Sequence, residues 1–267
     1  MTTGHSTDIE YCDPFDQPAP DFWMKVEHLG RYIFAAELAL ELDAHRVLDA
    51  ACANGYGCRE LARSGAHTVG VDVHADYLRD ARRAAEADPV GRITYVEGDL
   101  DRDDLPRTLG GDYDLITSFE TLEHLTRPAQ ALAGFADLLR GGGRLLLSVP
   151  NRAFEPVTSD GAPRNPFHKQ LFTLDDIRAL VEGAGLHVRR VLAQPYTNIF
   201  FNRERQLCKA GLAEKDDLPT FYRHDERAIR HFARLFGMPE ESAIDVSYAI
   251  LLDAERPGST RSAAARA

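Results

Sequence analysis

Residues 46–57 read "RVLDAACANGYG": a short apolar run closed by Asp49, a loop of small residues from Ala51 to Gly57, and the start of a helical pattern. Strand, small-residue loop and helix in that order aim backbone N–H groups and the positive end of a helix dipole at the carboxyl end of a sheet. Open α/β folds bind polar or anionic ligands there, so this stretch predicts both the fold class and the place of the site.

The alternation continues on both sides. Downstream, "HTVGVDV", "RITYVEGD", "DYDLITSFE" and "GRLLLSVPN" read as strands. Helical patterns at about 57–64 and 75–87 lie between them. A further helix carries Pro128 in its first turn, Leu132, Phe135 and Leu139 on its apolar face and Gly141 at its end. Five strand–helix alternations predict a parallel, doubly wound sheet. In "TLDDIRALVEGAG", Thr173 and Asp176 are spaced as a capping box, and Ile177, Leu180, Val181 and Ala184 fall at helical spacing before the strand "LHVRRVL". In "AIDVSYAILL", Ile244, Val246, Tyr248 and Ile250 alternate with Asp245, Ser247 and Ala249, which predicts an edge or antiparallel strand. Upstream, Asp21 is a candidate N-cap. Phe22, Val26, Leu29, Ile33, Ala36 and Leu40 share one helical face, with Lys25, His28 and Arg31 off that stripe.

These patterns divide the 267 residues into an irregular lead segment at 1–20, a core at 21–194, a helical cap insertion at 195–242, a final core strand at 243–254 and a disordered tail at 255–267. The cap rests on helical patterns near 199–210 and 224–236, each followed by glycine, Gly211 and Gly237. Its aromatic residues read as the core of the cap, an apolar substrate pocket or a homodimer contact.

A formal net charge of −11 repels polyanions, which disfavours nucleic acid as a partner. No apolar run approaches the ~18 residues of a membrane span, and "MTTGHSTDIEYCDPFDQPAP" lacks the regions of a signal peptide. A cytoplasmic protein without a membrane partner is expected. Cys12, Cys52, Cys58 and Cys208 form no CxxC pair, so neither zinc nor a disulfide framework is indicated, and Cys52 and Cys58 read as packing residues.

Three acidic residues close three successive strands: Asp49, Asp72 and Asp99. Asp72 is placed to accept two hydrogen bonds from a ribose diol, a geometry shared by dinucleotide and adenosyl cofactors. Asp99 in "VEGDL" is placed to meet an adenine amino group, whereas Asp49 equally suits capping the following turn. An NAD-dependent oxidoreductase shares the loop and Asp72, but the chain has no Tyr-x-x-x-Lys pair. A non-catalytic adenosyl-binding module is the other alternative.

"VLDAACANGYG", "VGVDV", "VEGDL", "DYDLITSFETLEHL" and "GGGRLLLSVPN" resemble the successive motifs of the class I S-adenosylmethionine-dependent methyltransferases. "NPFHKQLFTLDDIRALVEGAGL" further resembles a subgroup acting on small molecules, including bacterial sugar and natural-product methyltransferases. The resemblance implies a Rossmann-like, seven-stranded sheet with an antiparallel terminal hairpin and S-adenosylmethionine held along the ends of its first four strands. It implies that Asp49 and the loop with Ala51, Asn54, Gly55 and Tyr56 face the methionine part, Asp72 with Val73 the ribose, and Asp99 with Leu100 the adenine. Phe119 would edge the transfer chamber, and Trp23 and Arg31 of the leading helix would close over the cofactor. The family loop usually has glycine where this chain has Ala51 and Ala53, and a Cβ there restricts φ.

Transfer to an oxygen or nitrogen needs placement first and a base second. The candidates are Glu120, Glu123 and His124 after the fourth strand and His168 in "NPFHKQ" after the fifth. His124 suits holding its loop through the backbone better than it suits the base. Glu120, Glu123 and His124 offer three ligand types on one turn without a remote partner, so no metal is expected.

Overall fold

The computed structural model describes residues 13–15, 22–102, 105–213, 225–242 and 244–258. Seven strands form one sheet: β1 Arg46–Ala50, β2 His67–Asp72, β3 Ile93–Glu97, β4 Tyr113–Phe119, β5 Leu139–Pro150, β6 His187–Leu192 and β7 Ala249–Glu255. Their spatial order is β3-β2-β1-β4-β5-β7-β6. Strands β1 to β5 pair in parallel, and β7 runs antiparallel to both β5 and β6. The order reverses between β1 and β4, which opens a crevice at their carboxyl ends.

The helices are α1 Phe22–Glu41, α2 Tyr56–Ala62, α3 Ala75–Ala87, α4 Leu105–Leu109, α5 Pro128–Leu138, α6 Leu174–Gly183, α7 Pro195–Lys209 and α8 Glu226–Phe232. Leu48, Ile116, Phe135, Leu147 and Ile250 belong to one buried cluster joining sheet and helices. Each such side chain contributes about 1.5–3 kcal/mol on leaving water. The capping box forms as read: Thr173 accepts from the Asp176 N–H, and the Asp176 carboxylate accepts from the Thr173 N–H.

Several boundaries differ from the sequence reading. Strand β7 is an interior strand, buried on both faces, and the edge belongs to β6. Ile244–Val246 is a 3₁₀ turn, so the alternation across 244–250 does not describe a strand; the continuous apolar run from Ala249 does. Glu255, assigned to the tail, closes β7 opposite Arg144. Helix α5 ends at Leu138, because Leu139 is extended and already pairs with Tyr113. Leu40 lies 60% exposed, while Lys25 and Arg31, read as off the apolar stripe, are buried. The expected N-cap Asp21, most of the lead segment and the residues beyond 258 lie outside the described residues.

The described parts of the 195–242 segment, α7, α8 and the turn after α8, pack on α1. Gly30 of α1 meets Gly237, which ends a π-helical turn, Ala233–Gly237, after α8. A Cβ on Gly30 would lie 2.0 Å from the Gly237 carbonyl oxygen, and one on Gly237 would lie 2.2 Å from that of Val26. Only glycine permits this approach of two backbones. Trp23 stacks on Phe200 at 4.8 Å between centroids and meets Phe22, Phe232 and Phe236 edge-on. The ring expected over the cofactor is thus taken up by the aromatic core between α1 and the cap.

Candidate active site

The loop after β1 turns back through three left-handed residues: Ala51 at φ 65°, Ala53 at 46° and Gly55 at 76°. Glycine at 55 also spares a collision, since a Cβ there would lie 2.4 Å from the Tyr95 hydroxyl. The two alanines hold glycine-type conformations at a cost of about 1–2 kcal/mol each. Ala51→Gly and Ala53→Gly are therefore each expected to raise stability in urea by roughly 0.5–1 kcal/mol, the strain relieved less the entropy of glycine in the unfolded chain. A loss of stability would show that the loop does not hold this shape.

Asp72 fixes the loop from the neighbouring strand. One carboxylate oxygen accepts from the Ala53 N–H at 2.9 Å and the other from the His74 N–H at 2.8 Å. Burial raises its pKa, and the N–H groups of His74 and Ala53 oppose that rise. Each oxygen keeps a second lone pair for a ligand. Val73, the next residue, is 51% exposed, an apolar surface beside a mostly buried carboxylate. Leu100 is buried, and Asp99 turns its chain by accepting from the Asp101 N–H at 2.9 Å.

Asp49 lies wholly inside. It accepts from Thr117 Oγ1 at 2.8 Å, the Tyr32 hydroxyl at 3.1 Å and the Cys58 thiol at 3.3 Å. Burial pushes its pKa up to about 6, against the pull of these donors. A carboxyl whose pKa rises on folding adds stability that is full below its unfolded value and lost as pH climbs through the folded one. The stability advantage of wild type over Asp49→Asn in urea should thus shrink between about pH 4 and pH 7, by roughly 3 kcal/mol. An advantage that grows with pH would contradict this burial. Tyr32 also packs edge-on against Tyr56 and Phe119, at 5.1 and 4.9 Å, and so joins the loop to the end of β4. Asn54 donates to the buried carboxylate of Asp13, docking a short piece of the lead segment on the loop.

Arg31 is the centre of a buried polar network. It donates to Gln194 at 2.7 Å, Glu120 at 2.8 Å, Ser148 at 3.2 Å and Glu27 at 2.6 Å. Burial disfavours its charge, but Glu120 and Glu27 outweigh that and hold it firmly protonated. Gln194 in turn donates to the carbonyls of Glu27 and Gly237. The guanidinium expected to reach the cofactor instead ties α1, β4, β5 and the cap together. Glu120, a candidate base, adopts φ 47° and gives Oε1 to both Arg31 and Ser148. That oxygen is committed to the protein.

The two candidate histidines meet. Their rings stand 5.1 Å apart, edge to face. His124 has Nδ1 3.0 Å from the Phe167 carbonyl, which places the proton on Nδ1 and the lone pair of the neutral ring on Nε2. His168 is buried, with Nε2 3.0 Å from the Asn165 amide and Nδ1 3.7 Å from Glu155. Glu123 lies fully buried 3.7 Å from His124 Nε2. One ligand atom each from Glu123, His124 and His168 falls within 4.8 Å of the others. The remote partner that the sequence did not show is His168, brought in by the long loop after β5.

The parallel sheet with an antiparallel β7, the turned loop after β1 and the acidic strand ends define a class I methyltransferase fold. The chain belongs to the methyltransferase-domain family, which it matches over residues 25–191. It is 30% identical over 161 residues to the mitochondrial ubiquinone biosynthesis O-methyltransferase of Schizosaccharomyces pombe, covering 55% of this chain and 57% of that protein. It is 30% identical over 186 residues to a probable S-adenosylmethionine-dependent methyltransferase of Mycolicibacterium smegmatis, covering 67% of this chain and 64% of that one. The chain spans about half the length of the first curated relatives it matches. Among solved structures, the [4+2]-cyclase SpnF superposes with a TM-score of 0.60 at 16% identity, over 91% of this chain and 85% of that one. An S-adenosylmethionine-dependent methyltransferase from Mesorhizobium loti gives 0.55 at 18% identity, over 83% and 98%. These structures share the fold. No helix among the described residues is long and apolar enough to cross a membrane.

Proposed function

We propose that this protein transfers the methyl group of S-adenosylmethionine to an oxygen or nitrogen of a small molecule, with a bacterial sugar or secondary metabolite as the acceptor class. The observation that carries the reading is Asp72: a largely buried carboxylate at the end of β2, locked to the turned loop through the Ala53 N–H and flanked by exposed Val73. That set suits a ribose diol with a planar base lying against Val73, and Asp99 with Leu100 at the end of β3 suits the far edge of the base.

The cofactor supplies an electrophilic methyl on a sulfonium, and the protein's part is placement and proton removal. Phe119 and Tyr32 pack edge-on at the end of β4 and give that side of the site apolar surface. With the cofactor bound, an imidazole of this site would take the proton that the acceptor's hydroxyl or amine gives up. His124 suits this better than His168, because its Nδ1 is fixed on the Phe167 carbonyl and its ring is partly exposed. His168, with both nitrogens facing loop residues, supports it.

The test is turnover. Purified protein with S-adenosylmethionine and a panel of hydroxylated sugars and aromatic natural products should yield adenosylhomocysteine together with a product heavier by one CH₂. Adenosyl binding without transfer to any acceptor would instead favour the binding-module reading, for which the strained alanines are the sequence support.

A further inference from the structure

We propose that Glu123, His124 and His168 form a binding site for one divalent transition-metal ion, with Glu155 as its outer carboxylate. The set is two imidazoles and one carboxylate converging within 4.8 Å, drawn from a turn after β4 and from the loop after β5, so the ligands are remote in sequence and fixed by the fold. Zinc, cobalt or iron(II) suits such a His₂–carboxylate set, whereas magnesium and calcium favour all-oxygen sites.

Three independent features support the site. His124 has Nδ1 held on the Phe167 carbonyl, which turns the Nε2 lone pair towards Glu123 3.7 Å away; ligand histidines are oriented in this way by the bond their other nitrogen makes. His168 has the Glu155 carboxylate 3.7 Å from Nδ1, on the side where metal-site histidines hold an outer carboxylate, and Glu155 is itself fixed by the Tyr248 hydroxyl. Glu123 and Glu155 are both buried, which sets two carboxyl groups beside the two imidazoles inside the fold. Glu120 is not a ligand, because Arg31 and Ser148 hold it. On loading, the Asn165 amide now at His168 Nε2 is displaced by the ion. The inference rests on the fold and not on the methyl-transfer reading; because the ion takes the His124 Nε2 lone pair, that ring is open to the acceptor's proton only in metal-free protein. Metal-free protein that still methylates an acceptor would leave that reading intact.

The experiment is titration of the chelator-treated full chain with Co²⁺, read by visible ligand-field absorption and by calorimetry. One ion per chain with tetrahedral or five-coordinate bands is expected. Glu123→Gln and His168→Gln should lose the bands, and Glu155→Gln should weaken binding by about 10–100-fold. Far-UV circular dichroism of each variant separates lost ligands from lost fold, and a variant that unfolds is replaced by His124→Gln, whose ring is partly exposed. Absence of bands in the folded wild type, or bands unchanged in a folded ligand variant, would overturn the site.

Discussion

Replacing Arg31 by methionine is expected to cost 3–5 kcal/mol of stability, because it leaves two carboxylates at the core–cap junction without their cation. Glu27 and Glu120 both bond the guanidinium, and burial already raises the pKa of Glu27, with Arg31 the main force opposing that rise. The variant should melt lower by on the order of 10 °C. Part of the loss should return in Arg31→Met combined with Glu27→Gln, since the second change removes a buried charge. Arg31→Lys should behave nearly as badly, because one ammonium cannot reach Gln194, Ser148 and both carboxylates in the directions that a planar guanidinium does. A loss below about 1 kcal/mol, the size typical of an exposed pair, would show that the network is open to water.

The second large effect concerns the cofactor. Asp72→Ala is expected to weaken adenosylmethionine binding by about 10²–10⁴-fold, since a charged acceptor contributes about 1.5–3 kcal/mol for each of two diol hydrogen bonds. It also frees the Ala53 and His74 N–H groups and so loosens the loop. Asp72→Asn separates these effects: the amide keeps one acceptor oxygen for the backbone or the ligand but loses the charge, so its affinity should fall between wild type and Asp72→Ala. Calorimetry on the three proteins, with urea midpoints as a control on folding, decides the matter. Unchanged affinity in a folded Asp72→Ala would remove the ribose assignment.

What was legible in the sequence is local. Asp49 and Asp72 lie at the ends of strands whose apolar runs are buried, Asp99 follows the half-buried β3 by two residues, and Thr173 with Asp176 makes its capping box from four consecutive residues. Ala51 and Ala53 could be read as restricted positions, and the chain holds both left-handed. What was hidden depends on residues far apart. Arg31 read as a residue off the apolar stripe that reaches the cofactor, but its partners Glu120, Ser148 and Gln194 lie 89, 117 and 163 positions away. Nothing in their spacing reveals them. Thr117 and Tyr32 clasp Asp49 for the same reason without a motif. His168 was legible as a loop histidine, and its meeting with His124 was not. The alternation at 244–250 misled because polar residues in the 3₁₀ turn mimic the period of a strand, whereas the true signal, the unbroken "AILL", is that of a strand covered on both faces.

The shared fold of a [4+2]-cyclase and of methyltransferases shows that this architecture does not dictate one chemistry, so the decisive measurement pairs ligand choice with the loop that makes it. Calorimetric titration of the wild-type chain with S-adenosylmethionine, adenosylhomocysteine and NAD tests the central claim most directly. Both adenosyl ligands should bind at one site per chain, with NAD silent. Binding of NAD with no heat from either adenosyl ligand would contradict the account.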